Sequence, residues 1–289
     1  MSTLVSPEKD KLDGYLDAIE HLPPTPTLMI KLIELFRQPE RDVDEIVGLM
    51  RQDPSLTAEV LRGCNSSFFG HEAPITDIRE AVFRLGFYEI YRISVAVFGM
   101  QSMSTAKVAH SFEVAVLWLH SAMTAIAGGV IARELGESEG IVFTAGLLHD
   151  VGKIVLASAE GTRYAELLQQ HGLLGTATND AEKAMFGFDH GEVGARLLSR
   201  WGVPPQVSVP VLCHHHLSWS GPFERLAAIV SLANLMARCI EGTAPEKPCE
   251  VPEAGHALEL LGLKHEDMLA VEHLVRSDIK RLGSLLVAS

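Results

Sequence analysis

The sequence predicts an all-α protein in which an N-terminal helical subdomain packs on a larger helical bundle. Two patterns carry that expectation. Apolar residues recur at three- and four-residue spacing through most segments, and the strict apolar/polar alternation of a half-buried strand is missing. Helix starts and stops are marked by Asp-Pro, Thr-Asp and isolated glycines at the ends of those periodic runs. Size agrees: 289 residues, 47% hydrophobic and 21% charged, supply ample core for one large or two modest domains.

Residues 1–20 read as a polar lead-in with one or two amphipathic turns. From Leu22 to Pro26 the prolines keep the backbone extended, after which Leu28, Leu32, Leu35 and Phe36 fall at helical spacing. Asp42 or Asp44 caps a helix carrying Ile46, Val47, Leu49 and Met50. Asp53-Pro54 opens the next, with aspartate as cap and proline in the first turn, where its missing N–H costs nothing; that helix gives way at Gly63 to Ser67. Thr76 to Glu80 opens a helix that breaks at Gly86, and another runs from Tyr88 through Phe98.

A long helix is expected from Phe112 to about Leu135, with Ala122, Ala125, Ala127, Gly128 and Gly129 letting neighbours approach closely. Residues 138–149 lead into the central stretch and 154–159 continue beyond it. Helices follow from Asn179 or Asp180, from Phe186 to Trp201, over 207–216, and over 223–240 with Asn234 inside the apolar pattern. Two amphipathic helices, about 255–262 and 265–285, close the chain. The expected division is a lead-in (1–20), a first helical subdomain (21–110), a second (111–242) and a C-terminal extension (243–289).

A formal net charge of −13 without a basic stripe argues against a grip on nucleic acid. Four scattered cysteines suit a reducing compartment, the first ten residues lack an apolar signal segment, and the apolar windows 93–100 and 141–156 are short or broken by charge. The expectation is a soluble cytoplasmic protein with no membrane association.

The centre of interest is the stretch from Val142 to Leu156, an apolar run interrupted by His149, Asp150 and Lys153. Burying these groups unpaired would cost several kcal/mol, so they need partners from elsewhere in the fold. Of thirteen histidines, most sit in polar or boundary contexts and read as surface or cap residues. His120 alone, mid-helix, reads as a core histidine bonded to a carbonyl. Taken together, His120, His149, Asp150, His190, His214 and His215 lie on, or at the ends of, several apolar helices, and bundle interiors are where facing helices converge ligands on a metal. Imidazoles with one carboxylate suit Fe, Mn, Zn, Ni or Co rather than Mg or Ca. Asp150 has a second oxygen with which to bridge two ions. His214 and His215, adjacent on a regular helix, diverge by about 100°; either two ions lie side by side or one of the pair stands behind a ligand. Spacing alone leaves a metal site and a set of satisfied core histidines both open.

Leu147-Leu-His149-Asp150-Val-Gly152-Lys153 resembles the signature of the HD superfamily of metal-dependent phosphohydrolases. The likeness is closer to its HDOD branch over roughly residues 20–240, through Leu22-Pro-Pro-Thr-Pro26, Asp53-Pro54-Ser-Leu56-Thr57, Asn65-Ser66, Arg84-Leu85-Gly86 and the run from Gly194 to Pro204. The resemblance implies an all-α HD-like bundle in which His120 is the first metal histidine, His149-Asp150 the doublet, and His190, His214 and His215 the later ligands of HD-GYP relatives, holding one or two divalent transition-metal ions. It also implies a signalling or regulatory module acting in trans on a protein partner or a nucleotide-like ligand. Two departures weaken catalysis: Asn234 stands where HD enzymes close the site with aspartate, and Val116 where binuclear relatives carry a carboxylate. The alternative is a phosphohydrolase of nucleotides or cyclic dinucleotides in which Asp150 and Lys153 do the chemistry, and a third reading is a structural metal staple. Lys153 either steadies phosphate charge or pairs with a nearby acid. Asp53, Asn65 and Arg84 read as caps and ties between helices.

Overall fold

The computed structural model describes residues 7–18, 31–35, 42–50, 54–65, 74–104, 113–174, 177–216, 221–242, 251 and 254–287. These residues are helical or in short connections, with no strand among them. The first region contains α1 (Pro7–Ala18), α2 (residues 31–35), α3 (Val43–Met50), α4 (Pro54–Cys64), α5 (Ile78–Leu85) and α6 (Phe87–Ser104). Then come α7 (Val114–Glu134), α8 (Glu139–Leu148), α9 (Val151–Glu160), α10 (Thr162–His171), α11 (Thr178–Phe186), α12 (His190–Arg200), α13 (Pro205–Cys213) and α14 (Glu224–Gly242). The chain ends with α15 (Gly255–Leu261) and α16 (His265–Val287).

Local chemistry accounts for the ends. Asp42 caps α3 by accepting from Asp44 N (2.8 Å), and Asp77 caps α5 by accepting from Arg79 N (2.6 Å). Thr57 on α4 donates to Met50 O at the end of α3 (2.6 Å). Asn65 works as a tie: its side chain donates to Ile75 O and accepts from Ile75 N, both at 2.6 Å. Arg84 pairs with Glu80 one turn earlier (2.6 Å). The expected proline segment Leu22–Pro26, the Asp53 cap, Ser66 and the boundary at 110/111 lie outside the described residues.

Helix α7 is the axle. It is buried almost all round from Leu117 to Ala132 and packs on α8, α14 and α16. The small residues act as expected. A Cβ on Gly146 would stand 3.0 Å from Ala125 Cα, and one on Gly128 would stand 2.9 Å from a Val142 methyl, so α7 and α8 meet nearly backbone to backbone. The buried side chains form one connected core from Leu12 on α1 to Val275 on α16.

One expectation needs correcting. By length and composition α7 and the run Glu139–Glu160 are apolar enough to cross a membrane, but they are 78% and 100% buried inside the protein. They are core helices of the bundle.

Candidate metal centre

The doublet His149-Asp150 sits at the break between α8 and α9, where the chain makes a turn and resumes with Lys153 N bonded to Asp150 O (3.0 Å). Facing it across the core are His120 from α7, His190 from the first turn of α12, and His214 and His215 just past the end of α13. Two glycines bring α12 this close. A Cβ on Gly152 would stand 2.0 Å from His190 O, and one on Gly194 would stand 3.2 Å from Gly152 N, so only glycine allows the α9–α12 crossing as built.

Six expected ligands therefore converge. Asp150, His190, His214 and His215 present donor atoms within 4.8 Å of one another, as do His120, His149 and Asp150, with Asp150 common to both sets. The expectation that His214 and His215 could not share one ion assumed a regular helix, and it does not hold. Pro210 removes one bond from the α13 ladder, the helix ends at Cys213, and the two histidines lie in a turn. Both rings reach His190 Nε2, at 3.3 Å from His214 Nε2 and 3.1 Å from His215 Nε2.

These separations suit a metal. Bonds of about 2.0–2.1 Å put neighbouring ligand atoms about 3.0 to 3.4 Å apart, depending on coordination number. Asp150 Oδ1 lies 3.2 Å from His190 Nε2 and 3.9 Å from His214 Nε2; His149 Nε2 lies 3.4 Å from Asp150 Oδ2. Asp150 Oδ1 and His149 Nε2 are fully buried without a hydrogen-bond partner. Orphaned acceptors in a dry core cost free energy unless something else satisfies them, and an ion coordinated there would.

The tautomers are set for coordination. His149 Nδ1–H donates to Gly146 O and His214 Nδ1–H to Val211 O, each at 2.7 Å, which turns both Nε2 lone pairs inward. Burial holds His149 and His215 well below the usual imidazole range and pushes His214 down to about 3, so the three rings are neutral near pH 7. Burial also opposes charge on Asp150, but His149 and Lys153 beside it outweigh that and hold its carboxyl well below the usual range.

Two contributors were missed. Glu182 on α11 accepts from both His190 Nδ1 (2.6 Å) and His190 N (2.7 Å), and its other oxygen accepts from Tyr164 OH (2.6 Å). Burial lowers His190, yet the Glu182 charge more than compensates and lifts it to about 9. Glu241 on α14 lies 3.0 Å from His120 Nδ1, while Asn234 Oδ1 lies 3.0 Å from His120 Nε2. Both acids carried a signal. Glu182 shares the buried face of α11 with Thr178 and Phe186, at spacings of four, and Glu241 stands two turns beyond Asn234 on one face of α14. Lys153 is buried and committed: its ammonium donates to Asp150 Oδ2 (2.8 Å) and Leu173 O (3.0 Å). Val116 is 40% exposed on α7 and adds no donor.

The HDOD domain family model matches residues 22–217, about two thirds of the chain, and the match takes in every ligand candidate named above. The chain belongs to the HDOD family. A curated protein of Treponema pallidum (strain Nichols) with no assigned function is 26% identical over 234 residues, covering 79% of this chain and 44% of that protein. The chain thus spans less than half the length of that relative. A crystal structure from Marinobacter aquaeolei VT8, described as a signal transduction protein, matches with TM-score 0.78 at 20% identity, over 98% of this chain and 66% of that one. A structure from Shewanella amazonensis SB2B, described as a phosphohydrolase, matches with TM-score 0.69 at 22% identity, over 94% and 97%. These two likenesses concern the HDOD fold.

Proposed function

We propose that this HDOD protein is a signal-transduction module that works in trans, on a protein partner or a nucleotide-like ligand, and that a divalent transition metal held in its bundle is part of the working state. The observation that carries the metal is the convergence on Asp150 of two donor sets, His190, His214 and His215 on one side and His120 and His149 on the other, with Asp150 Oδ1 and His149 Nε2 buried and lacking a hydrogen-bond partner. Those imidazoles and one carboxylate match Fe, Mn, Zn, Ni or Co. The case for regulation rather than turnover is the company the centre keeps. Every donor but His215 is buried, Asn234 cannot hold a proton as a base, and Lys153 is already bound to Asp150 and Leu173.

The alternative is a metal-dependent phosphohydrolase acting on a nucleotide or cyclic dinucleotide. A bound ion would supply Lewis acidity toward a phosphoryl oxygen. Asp150 would orient it, and His215, the one donor of the cluster that is not fully buried, marks the side from which a substrate could approach. The same fold occurs in neighbours described both ways, so fold alone does not choose.

Metal analysis of protein purified without chelator comes first, and retention of a transition metal is the expected result. Its absence would sink both readings. With metal present, hydrolysis of a generic phosphodiester that vanishes in His149→Ala would favour the enzyme. Metal without turnover, together with partner or ligand binding that is lost on chelation, supports the module.

A further inference from the structure

The two halves of the centre are not equivalent, because the two oxygens of Asp150 keep different company. Oδ1 has no hydrogen-bond partner and faces the His190 side, where three imidazoles gather. Oδ2 already carries a cation: the Lys153 ammonium is 2.8 Å away and is itself pinned by Leu173 O. A second divalent ion on that side would share one oxygen with a buried ammonium, against like-charge repulsion in a dry core.

The remaining donors on that side are also compromised. His120 Nε2 is occupied by the Asn234 amide, whose Oδ1 lies 3.0 Å away, while Glu241 lies 3.0 Å from Nδ1, so an ion on that side would have to displace the amide from the ring. Asn234 brings no charge to offset a second ion. Among the described residues this half keeps His149 Nε2 as its one uncommitted nitrogen. The other half has Asp150 Oδ1, His214, His215 and His190, the last backed by the buried Glu182 carboxylate.

We propose that this protein holds one divalent ion rather than two, between Asp150 Oδ1, His190, His214 and His215, and that Lys153 stands as a tethered cation where a second ion would sit on Asp150 Oδ2. The inference rests on the metal reading above and adds the number and the place. It also gives Lys153 a role, as the group that balances the inner oxygen of Asp150.

The test uses the full chain, stripped of metal and titrated with Co(II), read by metal content after desalting and by the d–d absorption of the bound ion. One equivalent is expected. His215→Ala should lower affinity at least about tenfold, whereas His120→Gln, which keeps a polar group in the buried position, should retain one equivalent with an unchanged spectrum. The pair Lys153→Met with Asn234→Asp should raise the capacity toward two. Far-UV circular dichroism checks that each variant is folded, and the wild-type count needs no variant at all. Two tight equivalents in the wild type, or an ion lost in His120→Gln and kept in His215→Ala, would overturn the inference while leaving the metal reading intact. No retained ion in the wild type would overturn both.

Discussion

His190 is oriented by a carboxylate eight residues earlier in the chain, and that carboxylate is oriented in turn by the Tyr164 hydroxyl. A histidine held this way presents Nε2 in one tautomer and is a better donor for it; removing such a partner costs about 10- to 100-fold in metal affinity. Glu182→Gln should weaken metal binding by that order, measured by competition with a chromophoric chelator, with helix content unchanged. The same residues set the pH response of the metal-free protein. His190, lifted to about 9 from an ordinary value near 6.5, contributes stability that is complete below about pH 6.5 and is lost as pH rises through about 9. His149, His214 and His215 are depressed, so their contribution is present above about pH 6.5 and fades as pH falls below it, when the unfolded chain takes up protons the fold refuses. The melting temperature of chelator-treated protein should therefore peak near neutrality and fall on both sides, with Glu182→Gln flattening the alkaline limb. A profile still rising at pH 9 would contradict the assignment.

Among the helices, the α9–α12 crossing matters most to the centre. Gly152 lies two residues past Asp150, and its missing side chain is what lets the first turn of α12 sit against α9. Gly152→Ala puts a methyl 2.0 Å from His190 O, which no rotamer can relieve, so the helices must part. Stability should drop by about 3 kcal/mol or more in urea unfolding, and the protein should no longer retain metal. Much at this scale was readable in advance. Gly136 ends α7 as expected, whereas the helix expected from Phe186 starts only at His190, where Asp189 caps it and Glu192 completes the box. The end of α13 was not readable, because helical spacing continues through His216 while Pro210 and the turn interrupt the geometry. The ring directions of His214 and His215 follow from that interruption.

Over the whole molecule, the chain's first and last helices close around the HDOD bundle. On α1, Asp13 receives Arg196 from α12 (Nε at 2.7 Å) and Asp17 receives Arg200 (2.7 Å), while the Tyr15 hydroxyl meets Glu160 of α9 and its ring packs edge-on against Phe188 (5.2 Å). Helix α1 thus bridges the two helices whose crossing forms the centre. The hydrogen bonds from Arg196, working against partial burial, hold Asp13 below the usual carboxylate range, so this tie is present at neutral pH and is lost as pH falls through that lowered value. Replacing both arginines, Arg196→Ala with Arg200→Ala, should speed amide exchange in α1 while α7 and α8 stay protected, as read by hydrogen-exchange mass spectrometry. At the other end, α16 packs along α7, and the buried Arg92 stacks on Tyr88 and Phe143 with Asp278 of α16 3.9 Å away.

The sequence by itself determined the all-α class, most of the helices (α10 and the full length of α1 excepted) and the six ligand candidates, because periodicity, caps and the chemistry of imidazole and carboxylate are local properties. It also located the departures, Asn234 and Val116, since a missing acid is visible as a letter. What only the tertiary structure decided is how those groups are matched. Glu182 reaches His190 across two helices, Glu241 and Asn234 close on His120 from α14, and Lys153 is bound to Asp150 rather than left free. Pairings of that kind depend on where helices cross, and the crossings are set by close packing of small residues such as Gly146 against Ala125 and Gly152 against Gly194. A linear pattern names the donors of the centre, but packing assigns each oxygen and nitrogen its neighbour.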